Sequence, residues 1–599
     1  MNSIDTQPAA SWKRRFRATN LSGQIAPRDL ARGMVLSNQS GVAQLYAWNT
    51  TSGQLTQLTH TPEGKPNGFL SSDGRFVYYF EDTQGNEIGR YVRVPFAGGQ
   101  PQNITPGMDP YASLSFNTSR DDRAVGFTTA DQHGFRIHTV RQDAQAELQV
   151  PQLLFQSRSF STGPLFSADA SCAVVATTEG TSGLNFRCIA FDAVSGTQLA
   201  TLAEDDGYTV EPDLFSPLAG DLRMLAISNR GGVKRPLLWD IRTGARSDLA
   251  LGDLVGDVEI MDWSPDGEQV LLLQISQAVH QLYRYDLASA TLTQLEHPAG
   301  TVFGAFYGPQ GEIWANWQSS AHPPQVIALG SGSRVILAAG DVPPSPSWRS
   351  VQFPSTGGVI IQGWLAVPDG PGPFPTILET HGGPTFAMTN VYHAGGHAWV
   401  DHGFAFLTIN YRGSTTFGRE FEQSIWGDLG HWEIDDMVAA RDFLLREGVA
   451  DPAQILLTGW SYGGYLTLQA LGKRPDLWAG GMAGIAIADW AMQYEDSAET
   501  LKGYQVAIFG GTPDEKPDAY AAASPITYAE HVSAPVLVIQ GSNDTRCPAR
   551  PMRKYEQRLR QLGKQIEVEW FEAGHGSYVV EQSIAHQELM LRFAMRILG

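Results

Sequence analysis

Three residues that carry a hydroxyl, a carboxylate and an imidazole lie far apart in the chain, in the order Ser461, Asp544 and His575. Each follows a short run typical of a buried β-strand; these runs are residues 455–458, 535–541 and 566–571. A serine hydroxyl becomes a strong nucleophile when an imidazole takes its proton, and a carboxylate can hold that imidazole in the right orientation. The pattern therefore predicts cleavage of acyl bonds through a covalent intermediate on Ser461.

The serine lies in the motif Gly459-Trp460-Ser461-Tyr462-Gly463-Gly464, where glycines allow a helix to start tightly behind a strand. This turn and the order serine, aspartate, histidine indicate an α/β-hydrolase fold. The motif alone has an alternative interpretation as a plain tight turn, since the chain contains 63 glycines. Asp544 also has an alternative interpretation, as the N-cap of a helix that begins near Pro548. The segment after Asp544 predicts one helix and one strand, which would return His575 to the same sheet edge.

A glycine-bearing loop, His381-Gly382-Gly383-Pro384, follows a further predicted strand at residues 375–380. The tetrahedral intermediate of acyl transfer carries negative charge on an oxygen, which two backbone N–H groups usually stabilise. We expect an oxyanion hole formed by the N–H groups of Tyr462 and Gly383, with Gly382 as the alternative donor. The other interpretation of the loop is an ordinary Gly-Gly-Pro turn.

Composition limits the classes of protein and of partner. A chain of 599 residues predicts two or more domains, and a formal net charge of -20 argues against nucleic-acid binding. The three cysteines (Cys172, Cys188 and Cys547) have no metal-ligand spacing, so we expect no metal and no cofactor. Cys172 and Cys188 could face each other across a hairpin, but the odd number favours reduced thiols in the cytosol. We find no apolar run long enough to span a membrane.

The basic segment at residues 12–17 lacks the apolar stretch of a secretion signal. We expect it to pack against the body of the protein or against an acidic face of it.

The sequence up to about residue 343 repeats itself with a period of roughly 43 to 51 residues. A turn cue of the form aromatic-Ser/Gly-x-x-Gly/Asp recurs in whole or in part; the cues are residues 71–74, 116–117, 166–169, 215–217, 263–267 and 307–309. A β-rich run and a second strand follow each cue. Together with an incomplete first hairpin at residues 43–59, the repeats predict a seven-bladed β-propeller.

The repeats stop at a proline-rich junction, residues 341–347. Beyond it strands alternate with helices, for example a strand at 404–409 and helices at 434–445 and 584–598. We therefore predict a propeller domain at residues 1–343 and an α/β-hydrolase domain, with a mostly parallel sheet and helices on both faces, at residues 344–599.

A seven-unit propeller followed by a hydrolase domain with Gly-Trp-Ser-Tyr-Gly-Gly resembles the prolyl oligopeptidase family of serine peptidases. Further motifs make it most similar to the acylaminoacyl-peptidase branch; they are residues 381–384, 410–414 and 524–526. The resemblance implies a serine peptidase for short peptides, with the propeller as a size filter. His381 stands where other branches often have an oxyanion tyrosine, which favours a backbone oxyanion hole. The absence of any Glu-Glu dipeptide disfavours release of dipeptides from free amino termini.

The resemblance also suggests substrate-binding residues. Trp490 and Tyr494 follow an apolar strand predicted at residues 483–487, where the family forms the pocket for the residue before the cleaved bond. An aromatic pocket would suit apolar side chains, although both residues could equally belong to the core. Arg546 could anchor a substrate carboxylate or form a structural ion pair. Anchoring would indicate a carboxypeptidase.

We therefore predict a cytoplasmic, homo-oligomeric exo- or oligopeptidase of the acylaminoacyl-peptidase type, with a preference for apolar residues. Short peptides are the expected partners, and neither a membrane nor a nucleic acid is expected. A carboxypeptidase or an endo-oligopeptidase of the same family is the alternative activity. An esterase is a further alternative, and a non-catalytic scaffold is disfavoured by the intact Ser461, Asp544 and His575.

Overall fold

The computed structural model describes residues 4–330 and 332–599. A short helix, α1 (Ser11–Arg17), precedes the propeller, in which seven blades can be counted over this part of the chain. Blades 1 to 3 each contain four strands: β1 (Leu21–Ala26), β2 (Asp29–Ser37), β3 (Gln44–Asn49) and β4 (Leu55–Gln57); β5 (Phe69–Leu70), β6 (Phe76–Asp82), β7 (Ile88–Pro95) and β8 (Gln102–Asn103); and β9 (Tyr111–Thr118), β10 (Ala124–Asp131), β11 (Gly134–Arg141) and β12 (Gln152–Ser157).

Blades 4 to 7 follow in the same way: β13 (Ser161–Phe166), β14 (Cys172–Thr177), β15 (Arg187–Asp192) and β16 (Gln198–Leu202); β17 (Val210–Phe215), β18 (Arg223–Ser228), β19 (Arg235–Asp240) and β20 (Arg246–Asp248); β21 (Asp257–Trp263), β22 (Gln269–Ser276), β23 (Val279–Asp286) and β24 (Thr291–Gln294); and β25 (Thr301–Tyr307), β26 (Ile313–Ser319), β27 (His322–Leu329) and β28 (Arg334–Leu337). Strands within each blade are antiparallel, and the first strands of successive blades pack side by side.

The repeated turn cue has a local physical basis. In four blades a serine hydroxyl donates a hydrogen bond to the aspartate two residues later; the pairs are Ser71–Asp73 (2.9 Å), Ser119–Asp121 (2.7 Å), Ser167–Asp169 (2.9 Å) and Ser264–Asp266 (2.5 Å). This bond holds the tight turn between the first and second strands of a blade. The cue therefore marks one fixed position in the propeller repeat.

The prediction of an incomplete first blade is wrong. Strands β1 and β2 complete blade 1, but they lack the turn cue and so gave no repeat signal. The ring closes between blades 1 and 7, where the Asn316 amide donates to Gly23 O (2.8 Å) and accepts from Gly23 N–H (2.7 Å). Two backbone groups that would otherwise be unpaired at the seam are thus satisfied.

The second domain contains an eight-stranded sheet in the order β29-β30-β32-β31-β33-β34-β35-β36, parallel from β32 onward along this order. Its strands are β29 (Arg349–Pro354), β30 (Ile360–Ala366), β31 (Phe374–Thr380), β32 (Ala405–Asn410), β33 (Ala450–Trp460), β34 (Gly480–Gly484), β35 (Val536–Gly541) and β36 (Ile566–Phe571). Its helices are α2 (Ala394–Asp401), α3 (Arg419–Gln423), α4 (Trp432–Arg446), α5 (Tyr462–Lys473), α6 (Trp490–Asp496), α7 (Glu499–Phe509), α8 (Pro517–Ala523), α9 (Ala549–Gln561) and α10 (Val580–Leu598).

The predicted propeller and α/β-hydrolase architecture is confirmed, while one strand is shifted. The apolar strand predicted at 483–487 lies instead at β34, three residues earlier. A Cβ on Gly480 or Gly481 would come within 2.6 Å of a terminal methyl group of Ile597 or Leu471, so glycine lets the helices pack close to this strand without displacing those side chains. The predicted boundary at residues 343 and 344 falls between β28 and β29, and its position stays a prediction.

The basic helix α1 packs on the acidic side of the second domain, as predicted. Arg15 forms two 2.8 Å hydrogen bonds to Asp401, and Lys13 lies 2.9 Å from Glu588. Arg15 also donates to the carbonyl oxygen of Pro343, so one side chain joins α1, the linker and α2. In the two described segments, none of the helices is long and apolar enough to cross a membrane.

Candidate active site

The predicted nucleophile lies on a strained turn. Strand β33 ends at Trp460 and helix α5 begins at Tyr462, so Ser461 alone makes the connection. Its φ of 57° and ψ of -120° are rare for a residue with a side chain, and its N–H donates to Gly484 O at 2.9 Å. This conformation presents the hydroxyl above the carboxyl end of the sheet.

The glycines of the motif are required by close backbone contacts. A Cβ on Gly463 would lie 2.0 Å from Thr380 O, and one on Gly464 would lie 2.5 Å from Gly484 O. Helix α5 therefore starts in direct contact with the ends of β31 and β34. The sequence prediction that these glycines allow close helix–strand packing is confirmed.

The structure brings the three predicted side chains together. Nε2 of His575 lies 2.9 Å from Oγ of Ser461, and Nδ1 of His575 lies 2.9 Å from Oδ2 of Asp544. Asp544 comes from the loop after β35 and His575 from the loop after β36, on neighbouring parallel strands. The Asp544 side chain is fully buried, that of His575 is 14% exposed and Ser461 is partly exposed, so solvent reaches the hydroxyl and the imidazole but not the carboxylate. This is a hydrogen-bonded serine, histidine and aspartate arrangement.

The carboxylate of Asp544 is held from its other side. Its Oδ1 accepts hydrogen bonds from the backbone N–H groups of Arg546 and Cys547, both at 2.8 Å. These bonds fix Oδ2 toward the imidazole. The alternative role of Asp544 as the N-cap of α9 is not realised, because the N-cap residue is Pro548 and it receives no side-chain bond.

Cys547 is a residue near the nucleophile that sequence reasoning did not place there. Burial raises the pKa of its thiol well above the usual value, with Asp544 acting in the same direction and a hydrogen bond involving Ser461 acting against both. The thiol therefore stays protonated. In the sequence, only the position of Cys547 three residues after Asp544 indicates that it lies near Ser461.

The glycine loop after β31 lies against the nucleophile. A Cβ on Gly382 would be 3.4 Å from Cβ of Ser461, and Gly383 has a φ of 128° that favours glycine. The ring of His381 stacks on Tyr411 with centroids 4.3 Å apart, and its Nε2 lies 2.8 Å from Oγ of Ser414. Burial lowers the pKa of His381 to about 4, so the ring is neutral.

These contacts fix the loop beside the Tyr462 N–H at the start of α5. The assignment of the oxyanion donors to Tyr462 and to Gly383 or Gly382 stays a prediction.

A buried acid lies beneath the turn, and no sequence signal identified it. The hydroxyl of Tyr462 donates to Glu433 at 2.6 Å, and the Gly430 N–H donates to both carboxylate oxygens at 3.0 and 3.1 Å. Desolvation raises the pKa of Glu433 to about 7 despite these bonds. Glu433 thus anchors the side chain of the residue that follows the nucleophile.

The predicted substrate-binding aromatics differ in exposure. Trp490 is 4% exposed and packs edge-on against Tyr465 and Phe509, within the core. Tyr494 is partly buried and lines a cavity of about 830 Å³ between α7 and the propeller. Phe135 and Phe160 of the propeller line the same cavity. The roles of Tyr494 and Trp490 in substrate binding stay predictions.

Arg546 is already paired across the domain interface. Its guanidinium forms two hydrogen bonds, of 2.7 and 2.6 Å, to the carboxylate of Glu87 in the β6–β7 turn of the propeller. This arrangement favours the structural ion pair that the sequence left open as an alternative. The role of Arg546 as an anchor for a substrate carboxylate stays a prediction.

The potential metal ligands of the site are engaged in other bonds. Across residues 4–330 and 332–599, Asp544, Cys547 and His575 are the only three such side chains with ligand atoms within 4.8 Å of one another. Both imidazole nitrogens and both carboxylate oxygens already take part in the hydrogen bonds described above. The arrangement is suited to proton transfer between Ser461 and His575.

Comparison with known proteins agrees with this geometry. Residues 392–599 match the sequence profile of the prolyl oligopeptidase family. Acylamino-acid-releasing enzyme 2 of Oryza sativa subsp. japonica is 32% identical over 209 residues, which are 33% of this chain and 27% of that protein. Dipeptidyl aminopeptidase BIII of Pseudoxanthomonas mexicana is 26% identical over 374 residues, 60% of this chain and 48% of that protein.

The fold extends over nearly the whole chain. The solved structure of Pyrococcus horikoshii acylaminoacyl peptidase superimposes with a TM-score of 0.72 at 17% identity, covering 98% of this chain and 97% of that one. At this identity the match shows the fold alone. The sequence matches span less than half the length of the two curated relatives named above.

Proposed function

Because residues 392–599 match the profile of the prolyl oligopeptidase family, we propose that the protein is a serine peptidase of this family that hydrolyses short peptides through an acyl-enzyme. The observation that carries this proposal is the continuous set of hydrogen bonds from Ser461 through His575 to Asp544. The proposed type is an acylaminoacyl-peptidase-like exo- or oligopeptidase with a preference for apolar residues. The aromatic side chains of Tyr494, Phe135 and Phe160 in one cavity and the relatives named for release of acylamino acids support this type.

The proposed reaction follows from the positions of the proton donors and acceptors. Oγ of Ser461 attacks the peptide carbonyl carbon while Nε2 of His575 takes the hydroxyl proton. The N–H of Tyr462 and that of Gly383, or of Gly382, stabilise the negative oxygen. The C–N bond then breaks, and the His575 proton goes to the departing amine.

Water completes the cycle. Nε2 of His575 takes a proton from a water molecule, whose oxygen attacks the acyl carbon and displaces Oγ of Ser461. The proton returns to Ser461, and the acid product leaves. Asp544 stays ionised throughout and stabilises the positively charged imidazole that forms in both steps.

Aminopeptidase activity is a second candidate, which the match to a dipeptidyl aminopeptidase over 60% of this chain favours. Endo-oligopeptidase and carboxypeptidase activities remain alternatives within the same chemistry, and an esterase would use the same catalytic residues.

The test is hydrolysis of a peptide panel with free or blocked ends, with products identified by mass spectrometry. The wild type should cleave at least one peptide, and Ser461→Ala should lose the activity by several orders of magnitude. Ser533→Ala is a matched control, since Ser533 is an exposed serine of the same domain. Equal turnover by wild type and Ser461→Ala would disprove the proposal, and the cleaved bond would distinguish the candidate activities.

We also propose that the protein acts in the cytoplasm and assembles into oligomers. The three cysteines are buried and unpaired, which suits a reducing compartment. Strand β29 forms an edge of the sheet with an alternating exposed face, and such edges favour association. Light scattering after size exclusion should give a mass above the 65.2 kDa of one chain. A monomer at micromolar concentration would exclude the oligomer.

A further inference from the structure

A separate cavity, of about 390 Å³, lies next to the loop that carries His575. Gly576 and Ser577, which follow the histidine, line this histidine-side cavity, and so does Trp460, which precedes the nucleophile. The other walls come from α1, from the segment that enters α2 and from α10. The cavity therefore borders the chain neighbours of both Ser461 and His575.

The histidine-side cavity and the cavity beside Tyr494 lie on opposite faces of the eight-stranded sheet. Tyr494 packs against the core that α4, α5 and α9 form with one face. Phe16, Trp460 and Met590, which line the histidine-side cavity, belong to the core that α1, α2 and α10 form with the other face. The turn that carries Ser461 ends a strand of this sheet. A peptide that crosses the turn from one cavity is therefore directed toward the other.

The direction of the proposed reaction distinguishes the two cavities. His575 gives its proton to the departing amine, so the amine side of the cleaved bond must pass beside this imidazole. The histidine-side cavity begins there, because Gly576 and Ser577 form part of its wall. Its position suits the residues after the cleaved bond, while the cavity beside Tyr494 suits those before it.

The walls of the histidine-side cavity suit an uncharged side chain. They include the rings of Phe16, Tyr392, Trp460 and His586, and the thioether of Met590. None of the described residues that line this cavity is Asp, Glu, Lys or Arg. Burial lowers the pKa of His586 to about 4, so its ring is neutral.

The second histidine of the wall, His393, is matched by a carboxylate. Its Nε2 lies 3.5 Å from Oε1 of Glu379. Burial acts to lower the pKa of His393, but Glu379 outweighs this effect and the pKa is raised. A positive charge on this ring is therefore balanced by Glu379, and the cavity has no free charge for a charged ligand group.

One hydrogen-bond donor in the wall is unpaired. Gln587 lines the cavity and is 3% exposed, and its Nε2 has no partner among the described residues. Buried amide groups are normally paired, because an unpaired one has lost its bonds to water. The carbonyl oxygen of a bound peptide would accept this hydrogen bond.

We propose that the histidine-side cavity is the subsite for the first residue after the cleaved bond, and that it selects an uncharged apolar or aromatic residue there. The proposal rests on the proposed peptidase function and specifies one side of its substrates. Phe16, Trp460 and Met590 contact the side chain of that residue. Gln587 donates to its carbonyl oxygen. Aspartate or lysine at this position would be buried without a partner for its charge.

Aminolysis of the acyl-enzyme tests this subsite apart from the rest of the substrate. The para-nitrophenyl ester of N-acetylphenylalanine acylates Ser461 and releases nitrophenol. An added amine then competes with water. Its nitrogen attacks the acyl carbon, the bond to Oγ of Ser461 breaks, and the amine proton passes through Nε2 of His575 to that oxygen. The ratio of amide to acid product therefore measures binding of the amine on the leaving-group side.

The amines are leucinamide, phenylalaninamide, glycinamide, lysinamide and aspartic acid α-amide, at equal concentrations of free base. For the wild type we expect at least ten-fold more transfer to leucinamide or phenylalaninamide than to the other three. Ser583→Phe adds a ring to a residue that lines the cavity and should reduce this preference to about two-fold or less. Ala585→Phe, at an exposed position of the same helix, is the matched control and should keep it.

Gln587→Leu tests the proposed hydrogen bond. Leucinamide carries the accepting carbonyl group, and isopentylamine has the same side chain without it. The advantage of leucinamide over isopentylamine should be about three-fold or more smaller in the variant than in the wild type. The difference in basicity between the two amines is the same for both proteins and cancels in this comparison.

Equal transfer to all the amides by the wild type would overturn the proposal while leaving the peptidase function in place. A folded Ser583→Phe that keeps the preference would also overturn it. If Ser583→Phe does not fold, Gln587→Leu decides, and an unchanged advantage of leucinamide would reject the subsite. A wild type that forms no acyl-enzyme with the ester and cleaves no peptide would instead count against the peptidase function.

Discussion

At the scale of single residues, the candidate site depends on fixed directions of hydrogen bonding. Two backbone N–H groups hold Oδ1 of Asp544, which leaves Oδ2 for Nδ1 of His575. Nε2 of His575 is then free of hydrogen and can accept the proton of Ser461. The backbone around Asp544 thus determines which imidazole nitrogen is basic.

Replacing Asp544 by Asn tests this directional argument. The same two N–H groups would bind the amide oxygen and turn the NH₂ toward Nδ1 of His575. Nδ1 would have to accept, so the hydrogen would move to Nε2, which could no longer take the Ser461 proton. We expect kcat for peptide hydrolysis to fall about 10³- to 10⁴-fold in Asp544→Asn. A folded variant, judged by circular dichroism, that retains a tenth of the activity would contradict the argument.

Glu433 gives a prediction about pH and stability. Its pKa is raised to about 7 in the folded protein, while a glutamate in the unfolded chain ionises near 4.5. Between pH 4.5 and pH 7, Glu433 has lost its proton in the unfolded state but keeps it in the folded state. Glu433 therefore lowers the free energy of unfolding as pH rises. The loss is complete above pH 7 and is roughly 3 kcal/mol.

Glu433→Gln should remove this contribution. Urea unfolding at pH 5 and pH 8 should show a smaller decrease in stability for the variant than for the wild type. The same decrease in both proteins would show that Glu433 keeps an ordinary pKa.

At the scale of secondary structure elements, the nucleophile is exposed because α5 starts in contact with two strands. Gly463→Ala would place a Cβ 2.0 Å from the backbone oxygen of Thr380, which cannot move without disturbing β31. We expect a loss of several kcal/mol in stability, or no folded protein, together with loss of activity. Gly231→Ala, at an open position without a positive φ, is the matched control and should behave as the wild type. A stable, active Gly463→Ala would contradict the packing argument.

Much of this element-level architecture was predictable from sequence. Helices α9 and α10 and strand β36 lie within a few residues of their predicted positions, because apolar periodicity is a local signal. Strand β34 was misplaced, since glycines that fit between tightly packed helices carry no apolar pattern. Glu433 was missed for a related reason. Its burial results from the packing of α4 and α5, and no pattern in the neighbouring sequence indicates it.

At the scale of the whole molecule, a propeller turn contacts both the loop that carries Asp544 and the loop that carries His575. Thr545, beside Asp544, donates to Asn86 O at 3.1 Å, and a Cβ on Gly574, beside His575, would lie only 1.8 Å from Gly85 O. The order of Ser461, Asp544 and His575 could be read from the sequence. The contact between the propeller turn and these loops could not be predicted, because it joins positions more than 450 residues apart.

Gly574→Ala should push the propeller turn away from the histidine loop. The added methyl group cannot fit against Gly85, so the loop must shift and His575 with it. We expect kcat/KM to fall at least ten-fold with a small change in melting temperature, since most of both domain cores is unaffected. Unchanged kcat/KM would show that the turn does not position the loop.

The central claim is that Ser461 is a nucleophile activated by His575, and covalent labelling tests it most directly. A fluorophosphonate should add one equivalent to the protein, and tandem mass spectrometry of the digest should locate the adduct on Ser461. His575→Ala should slow this labelling by orders of magnitude without changing the labelled residue. A protein that stays unlabelled, or an adduct on another residue, would contradict the account.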